Sequence, residues 1–431
     1  MKTMNYQSDK DEINMILENR NFEIDDELQK TVKKIVDEVK ENGDKALLEF
    51  TSRFDKVDLK EFKVKEKELN QAYNLVEDKF FNSLNKAIKN IKSFHEKQKE
   101  ESWFDSDDGK MTGQVINPIK RVGCYVPGGG AAYPSSALMT VIPAKVAGVE
   151  EIVVTTPPDK SGNINPYTLA ALKKLGINEI YKLGGAQAIA ALAYGTESIK
   201  RVLKIVGPGN IFVTIAKKEV YGKVDIDMLA GPSEVMILAD ENANSEYIAA
   251  DLLSQAEHDP RAIPVLAATS SKLIENVSLE LEKQLATLNR EEIARKSLNQ
   301  NGLIIKVDDI ETGIELVNRY APEHFELVTK DPLSYLGKIK NAGAIFLGEN
   351  SAEALGDYFA GPNHVLPTGG TAHYASPLTT ADFTKKSSII YYNKKEIEKN
   401  ADYIAKLARV EGLQGHARSI ELRKRGDKDD G

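Results

Sequence analysis

Between about residue 120 and residue 350 short apolar runs alternate with longer mixed ones, and this alternation constrains the fold more than any other feature. The short runs, rich in Val, Ile and Leu, predict strands at 151–155, 179–183, 202–206, 224–229, 235–239, 263–268, 302–307, 326–329 and 344–347. The stretches between predict helices at 135–147, 166–175, 186–194 and 211–221. Strands separated by helices form parallel sheets with helices on both faces, because a parallel connection has to cross over the sheet. The fold class is therefore α/β, with two doubly wound domains.

The flanks read differently. Residues 1–22 are polar and predict an arm. Leu28, Val32, Ile35, Val36 and Val39 follow helical spacing, with Gly43 expected to end that helix. A second helical pattern runs from Leu69 to Ile91, and His95, just beyond it among Lys and Glu, is expected on the solvated surface. Val115 to Val126 reads as extended. After Pro377 the chain turns polar and helical, at 394–409 and 416–425, and the residues past 425 are expected to fray. The domain reading is an arm at 1–22, a discontinuous main domain of 23–125 with 234–377, a second domain at 126–233, and a helical piece at 378–431.

A net charge of −8 argues against a general nucleic-acid binder. No apolar run is long enough to span a bilayer and the start lacks a signal-peptide core, so a cytoplasmic location is expected. The single cysteine, Cys124, excludes an internal disulfide and any multi-thiolate metal site. As a nucleophile Cys124 would need an activating neighbour; its apolar strand supplies neither His nor acid, which favours a structural thiol.

Three glycine turns follow predicted strands: Pro127-Gly128-Gly129-Gly130, Gly184-Gly185-Ala186-Gln187 and Gly207-Pro208-Gly209-Asn210. Each brings backbone N–H groups to a helix start, where a phosphate binds well. None matches Gly-x-Gly-x-x-Gly, so cofactor binding and simple βα capping both stay open. Tyr125, Gln187 and Asn210 sit at these turns, within reach of a ribose or adenine. Gln255 and His258, three apart at a helix end stopped by Pro260, share one helical face and offer neutral donors to a metal or to each other. Glu323-His324 joins a carboxylate to an imidazole, the two groups of general acid–base chemistry. Asp357 offers an anionic oxygen. Of His364 and His373, at most one is expected to be catalytic. Glu411 and His416 open the last helix, and spacing alone favours a solvated helix start for them.

Together these segments resemble the histidinol dehydrogenase family. The resemblance rests on Gly-Cys-Tyr-Val-Pro-Gly-Gly (123–129), Gly-Gly-Ala-Gln-Ala-Ile-Ala-Ala-Leu-Ala (184–193), Gly-Pro-Gly-Asn (207–210) and Ala-Gly-Pro-Ser-Glu-Val (230–235). It continues through Leu-Leu-Ser-Gln-Ala-Glu-His (252–258), Ala-Pro-Glu-His (321–324), Asn-His-Val-Leu-Pro-Thr (363–368) and Glu-Gly-Leu-Gln-Gly-His (411–416). Two departures are Gly361-Pro362 in place of a Gly-Thr pair, and the charged tail after His416.

The resemblance implies an incomplete Rossmann-like, aldehyde-dehydrogenase-like pair of domains and a homodimer with shared active sites, holding one Zn2+ per subunit. It implies oxidation of L-histidinol to L-histidine with two NAD, through an aldehyde that stays bound. The zinc ligands it implies are Gln255, His258, Asp357 and His416; the acid–base pair is Glu323 and His324. Ser233, His364 and Glu411 would line the substrate site, with the metal ligands and His324, and Tyr125, Gln187 and Asn210 would contact NAD. The C-terminal piece would reach the partner's active site. On the residues alone a zinc hydrolase, or a metal-binding protein without catalysis, remains open.

Overall fold

The computed structural model describes residues 1–18, 25–129 and 132–425. The chain opens with β1 (Lys2–Asn5) and α1 (Lys10–Glu18), then α2 (Asp26–Phe50), a π-helical turn (Thr51–Asp55), α3 (Glu66–Leu75) and α4 (Asp78–Glu96). β2 (Trp103–Asp107) and β3 (Lys110–Pro118) form an antiparallel hairpin. Next come β4 (Arg121–Tyr125), α5 (Pro134–Ala147), β5 (Glu151–Thr156), α6 (Pro166–Lys174), β6 (Ile180–Lys182), α7 (Gly185–Tyr194), β7 (Lys204–Val206), α8 (Ile211–Val220) and β8 (Asp225–Ile226). A further series follows: β9 (Glu234–Ala239), α9 (Ser245–Ala256), β10 (Ile263–Ala268), α10 (Ser271–Leu285), α11 (Glu291–Gln300), β11 (Leu303–Lys306), α12 (Ile310–Tyr320), β12 (His324–Val328), β13 (Ala344–Leu347) and α13 (Glu353–Tyr358). The chain closes with β14 (Thr384–Tyr392), α14 (Lys394–Val410) and α15 (Gln414–Arg425).

It divides into two compact units, Met1–Gln98 with Ile119–Phe383, and Lys99–Pro118 with the chain from Thr384 on. The first unit holds two parallel sheets, of order β6-β5-β4-β7-β8 and β1-β11-β10-β9-β12-β13. Leaving β1 aside, both have the same topology: the first strand is central, the next two go to one side and the last two to the other. The reversal falls between β4 and β7 in one sheet and between β9 and β12 in the other. A crevice opens at such a reversal, outside the carboxyl ends of the strands.

Side-chain alternation along each strand feeds two cores per sheet. In the five-stranded sheet, Val122, Cys124 and Val154 face α3 to α6, where Leu84, Ile91, Leu138, Met139 and Leu172 are buried. Tyr125, Val153 and Ile205 face α2, α7 and α8, against Val36, Leu47, Ile189 and Val213. In the six-stranded sheet, Val235, Ile237 and Ala239 pack beneath α9 to α11. Met236, Leu238 and Phe325 pack on the other face with Ile13, Ile314 and Val317. Each fully buried aliphatic side chain contributes about 1.5–3 kcal/mol of transfer free energy.

The nine predicted strands and six of the predicted helices are present, with ends within about two residues, the usual scatter of element boundaries, except that the strand expected at 224–229 is only Asp225–Ile226. Several expectations are corrected. Residues 2–5, read as part of an arm, form an edge strand on β11, and Met4 and Tyr6 are buried there; residues 19–22 lie outside the described residues. Gly43 does not end α2 but kinks it at φ +51, and the helix continues because Ala46, Leu47 and Phe50 return to the core. The 69–91 pattern is two helices, α3 and α4. The extended stretch is split, β3 going to the second unit and β4 to the first. The helices of residues 26–96 pack on the five-stranded sheet, and α4 also meets the chain around residues 359–365.

His95 is buried, not solvated: its Nδ1–H donates to Gln98 Oε1 at 2.7 Å and its Nε2 accepts from Asn363 Nδ2 at 3.4 Å. Leu84, Ala87, Ile91 and His95 share one helical face, and that face is the packed one. In the second unit β14, unforeseen from the sequence, pairs with β3 in a three-stranded antiparallel sheet. α14 and α15 pack through Ala405, Ala408 and Ala417. Among the described residues, no helix is long and apolar enough to cross a membrane.

Candidate active site

The predicted acid–base pair lies at the amino end of β12. α12 stops at Ala321, in the left-handed conformation at φ +49, and Pro322 turns the chain so that Glu323 precedes the sheet and His324 begins it. Both are buried. Glu323 Oε2 accepts from the Glu234 N–H at 2.8 Å, at the start of β9. His324 Nδ1 lies 3.0 Å from the Glu234 carbonyl oxygen, so Nδ1 carries the proton and donates. Its Nε2 is buried, has no hydrogen-bond partner, and sits 3.7 Å from Asp357 Oδ1. The backbone of one residue, Glu234, thus orients both groups.

The electrostatics follow from burial and crowding. Burial pushes the Glu323 carboxyl up to about 8, partly opposed by the His324 charge. Burial opposes charge on His324, yet Glu353, Glu323 and Asp357 together hold its pKa well above the ordinary imidazole value. Burial likewise raises Glu353, to about 7. Burial also opposes charge on Asp357, but the His324, His364 and His258 rings hold it below the usual carboxylate range.

α13 presents Glu353 and Asp357, four apart, on one face. Ligand atoms of His258, Glu353 and Asp357 all fall within 4.8 Å of one another. Gln255, fully buried on α9, turns its carboxamide nitrogen to the Glu353 carboxylate, at 2.7 and 3.0 Å in the orientation that satisfies both. His364 donates through Nδ1 to the Asp357 carbonyl oxygen at 3.0 Å, which leaves its buried Nε2 without a partner; burial lowers its pKa. His373 is exposed and both ring nitrogens meet protein groups, Asn341 and the Arg319 carbonyl. His324, Asp357 and His364 line a cleft of about 650 Å³ with Phe346, Leu355 and Phe94.

An imidazole, two carboxylates and two unpartnered buried ring nitrogens form an N/O donor set of the kind zinc accepts. Glu353 escaped the sequence reading, although its spacing from Asp357 was a signal. Ser233 directly precedes Glu234 and is half-buried. Glu411 and His416 are exposed in the second unit, at the end of α14 and within α15.

The glycine turns stand at the carboxyl edge of the five-stranded sheet. A Cβ on Gly207, at φ +117, would fall 2.1 Å from the Tyr125 carbonyl oxygen, so only glycine fits there. The Gly207 peptide is clamped: its N–H donates to Asp227 Oδ2 at 2.7 Å and its carbonyl accepts from Lys217 Nζ at 2.8 Å. Lys217 and Asp227 are themselves a buried ion pair. Asn210 Oδ1 caps α8 through the Phe212 and Val213 N–H groups. The buried Tyr125 hydroxyl accepts from the Gly185 N–H at 3.2 Å, and burial pushes its pKa up to about 12. Gln187 is buried beneath the same turn; Gly130 lies outside the described residues. Cys124 is buried on the opposite face of β4, where burial pushes its thiol up to about 12.

Two matched parallel sheets, one edged with glycine turns and the other with a buried carboxylate–imidazole pair, place the chain among α/β enzymes with acid–base chemistry. Residues 18–424 match the family model described as histidinol dehydrogenase. The histidinol dehydrogenase of Bacillus cereus is 53% identical over 412 residues, covering 95% of this chain and 96% of that one. That of Bacillus subtilis is 54% identical over 401 residues, covering 93% and 94%. The crystal structure of histidinol dehydrogenase from Elizabethkingia anophelis superposes with a TM-score of 0.94 at 39% identity, covering 99% of this chain and 98% of that one. The chain belongs to the histidinol dehydrogenase family.

Proposed function

We propose that the chain oxidises L-histidinol to L-histidine through bound L-histidinal, with reduction of two NAD, as the last step of histidine biosynthesis. The observation that carries the chemistry is the locked tautomer of His324. With Nδ1–H committed to the Glu234 carbonyl, the proton that His324 gains or loses is the one on Nε2, which is buried. The ring acts as base in the form with Nε2 unprotonated, and its acidic neighbours, which raise its pKa, make that form the stronger base. His324 Nε2 takes the hydroxyl proton as the carbinol carbon loses hydride. Glu323, with a pKa near 8, then takes a proton from the water that adds to the aldehyde. His324 serves again when the hydrate loses its hydride. NAD, when bound, accepts each hydride. No thiol is required, in keeping with the high pKa of Cys124.

Gln255, His258, Asp357 and His416 would hold one Zn2+, whose chemistry is to fix the imidazole and amine of the substrate as a template. His258 and Asp357 have the required proximity, and Glu353 lies within the same reach. Gln255 meets Glu353 through its amide nitrogen, and its amide oxygen is the atom it would offer to the metal. His364 would bind substrate through Nε2, and Ser233 and Glu411 would line the same site. Tyr125, Gln187 and Asn210 define the NAD edge; the Asn210 oxygen caps α8, so its NH2 is the group offered to cofactor. We infer a cytoplasmic homodimer in which Glu411 and His416 complete the site of the second copy. Tyr403, Leu407 and Val410, each about 70% exposed on α14, support a covered face there.

The test is NADH formed per site on adding L-histidinol and NAD, before and after chelation. Two NADH per L-histidinol, lost on chelation and restored by zinc, are expected. No NADH from a metal-loaded protein would overturn the reading.

A further inference from the structure

Asp55 is a half-buried carboxylate, its Oδ2 wholly buried, that the acid–base chemistry does not use. It ends the only π-helical turn among the described residues, and the next residue, Lys56, is held left-handed at φ +59. Turns of that kind and non-glycine residues at positive φ are both uncommon and cluster at binding sites. Asp55 Oδ2 is buried, and its side chain has no hydrogen bond or ion pair among the described residues. Burial raises its pKa to about 6. An unpartnered buried carboxylate is costly to keep, and nothing on its own helix offsets that.

Its place gives the missing partner a chemistry. Phe50, one turn before, packs in the core with Tyr125, Leu183 and Ala186. The Asp55 charge acts on the Tyr125 hydroxyl, which accepts the Gly185 N–H at the start of α7. Val57 and Leu59, just past Asp55, approach Gly162 in the loop after β5. The N–H of Lys182, which ends β6, donates to the Phe62 carbonyl oxygen at 2.8 Å. Asp55 therefore stands near the carboxyl ends of β5 and β6, in the first half of the doubly wound sheet. In such a sheet that half takes the adenosine end of a dinucleotide, and an acidic residue accepts the ribose hydroxyls. Two lone-pair-rich oxygens suit a vicinal diol, which offers two O–H donors. They repel the phosphate that NADP carries on that ribose.

We propose that Asp55 binds the hydroxyls of the adenosine ribose and sets the preference for NAD over NADP. The inference rests on the NAD reading above. The test is fluorescence titration of NADH and NADPH into the zinc-loaded protein without histidinol, for the wild type, Asp55→Asn and Asp55→Ala. One or two hydrogen bonds to a charged acceptor correspond to roughly ten- to hundredfold in affinity. NADH should weaken by that factor in both variants, the gap to NADPH should narrow, and kcat at saturating NAD should stay within about threefold. NADH lacking the adenosine 2′-hydroxyl, titrated into the wild type, should lose affinity too, a measurement that needs no folded variant. If the variants or the deoxy analogue bind like the parents, Asp55 has no cofactor role while the NAD reading stands. A wild type that binds no NADH removes both.

Discussion

Replacing Glu323 by Gln tests the electrostatics of the site without any ligand present. The carboxyl is buried, accepts the Glu234 N–H, and has its pKa raised to about 8. A carboxyl raised in the folded state binds its proton more tightly there than in the unfolded chain. Its contribution to stability is therefore complete below the unfolded value, near 4.5, and is lost as pH rises through about 8. At about 1.4 kcal/mol per tenfold in proton affinity, the ceiling on that loss is about 5 kcal/mol. Relaxation and water entry reduce it, so about 2–5 kcal/mol is expected. Gln keeps the acceptor for Glu234 and cannot ionise. Its NH2 lacks a partner and costs about 1–3 kcal/mol, but at every pH alike. The assay is urea unfolding of metal-free, cofactor-free protein at several pH values from about 5 to 9. Glu323→Gln should gain about 2–5 kcal/mol relative to wild type across that range. Parallel stability curves would mean that Glu323 titrates normally and is not a base poised near neutral pH.

Other outcomes follow from the same geometry. Glu323→Gln should still form the first NADH from L-histidinol in rapid mixing but fail on supplied histidinal, while His324→Ala should slow both by roughly a hundred- to ten-thousandfold; normal oxidation of histidinal by Glu323→Gln would exchange the two roles. Asp357→Asn should lose zinc on dialysis, read by metal analysis, and stoichiometric zinc in that variant would remove Asp357 from the ligand set. Cys124→Ala should keep most activity and lose about 1–2 kcal/mol of stability in denaturant unfolding, the scale of a small core deletion; a thousandfold loss of kcat would make the thiol a participant.

The strands were legible because buried parallel strands are nearly continuous in Val, Ile and Leu, as in Glu234–Ala239 and Ile263–Ala268. β14 was not: most of its nine residues are exposed, so Thr384–Tyr392 lacks the apolar signature. Gly43 looked like a stop because local rules cannot see Ala46, Leu47 and Phe50 return to the core. His95 was misplaced because its charged neighbours masked the helical register that it shares with Leu84 and Ile91. Of the residues singled out as motifs, Glu323, His324, Asp357 and His364 lie close together. Their protonation was not legible, because it depends on which carbonyl each Nδ1 meets. Nor was the edge of the sheet they occupy. Switch-point reasoning points to carboxyl ends, which holds for Tyr125 and Asn210, whereas Glu323 and His324 sit at the amino end of β12.

The buried lone thiol has a practical consequence. With one cysteine in 431 residues, fully buried and with its pKa near 12, the native chain behaves as if cysteine-free towards thiol-directed dyes and spin labels. A cysteine introduced at an exposed position away from the α14 face, such as Leu279 on α10, becomes a unique attachment point with Cys124 left in place. Energy transfer between donor- and acceptor-labelled copies then reads subunit exchange directly, on a protein whose interior has not been altered.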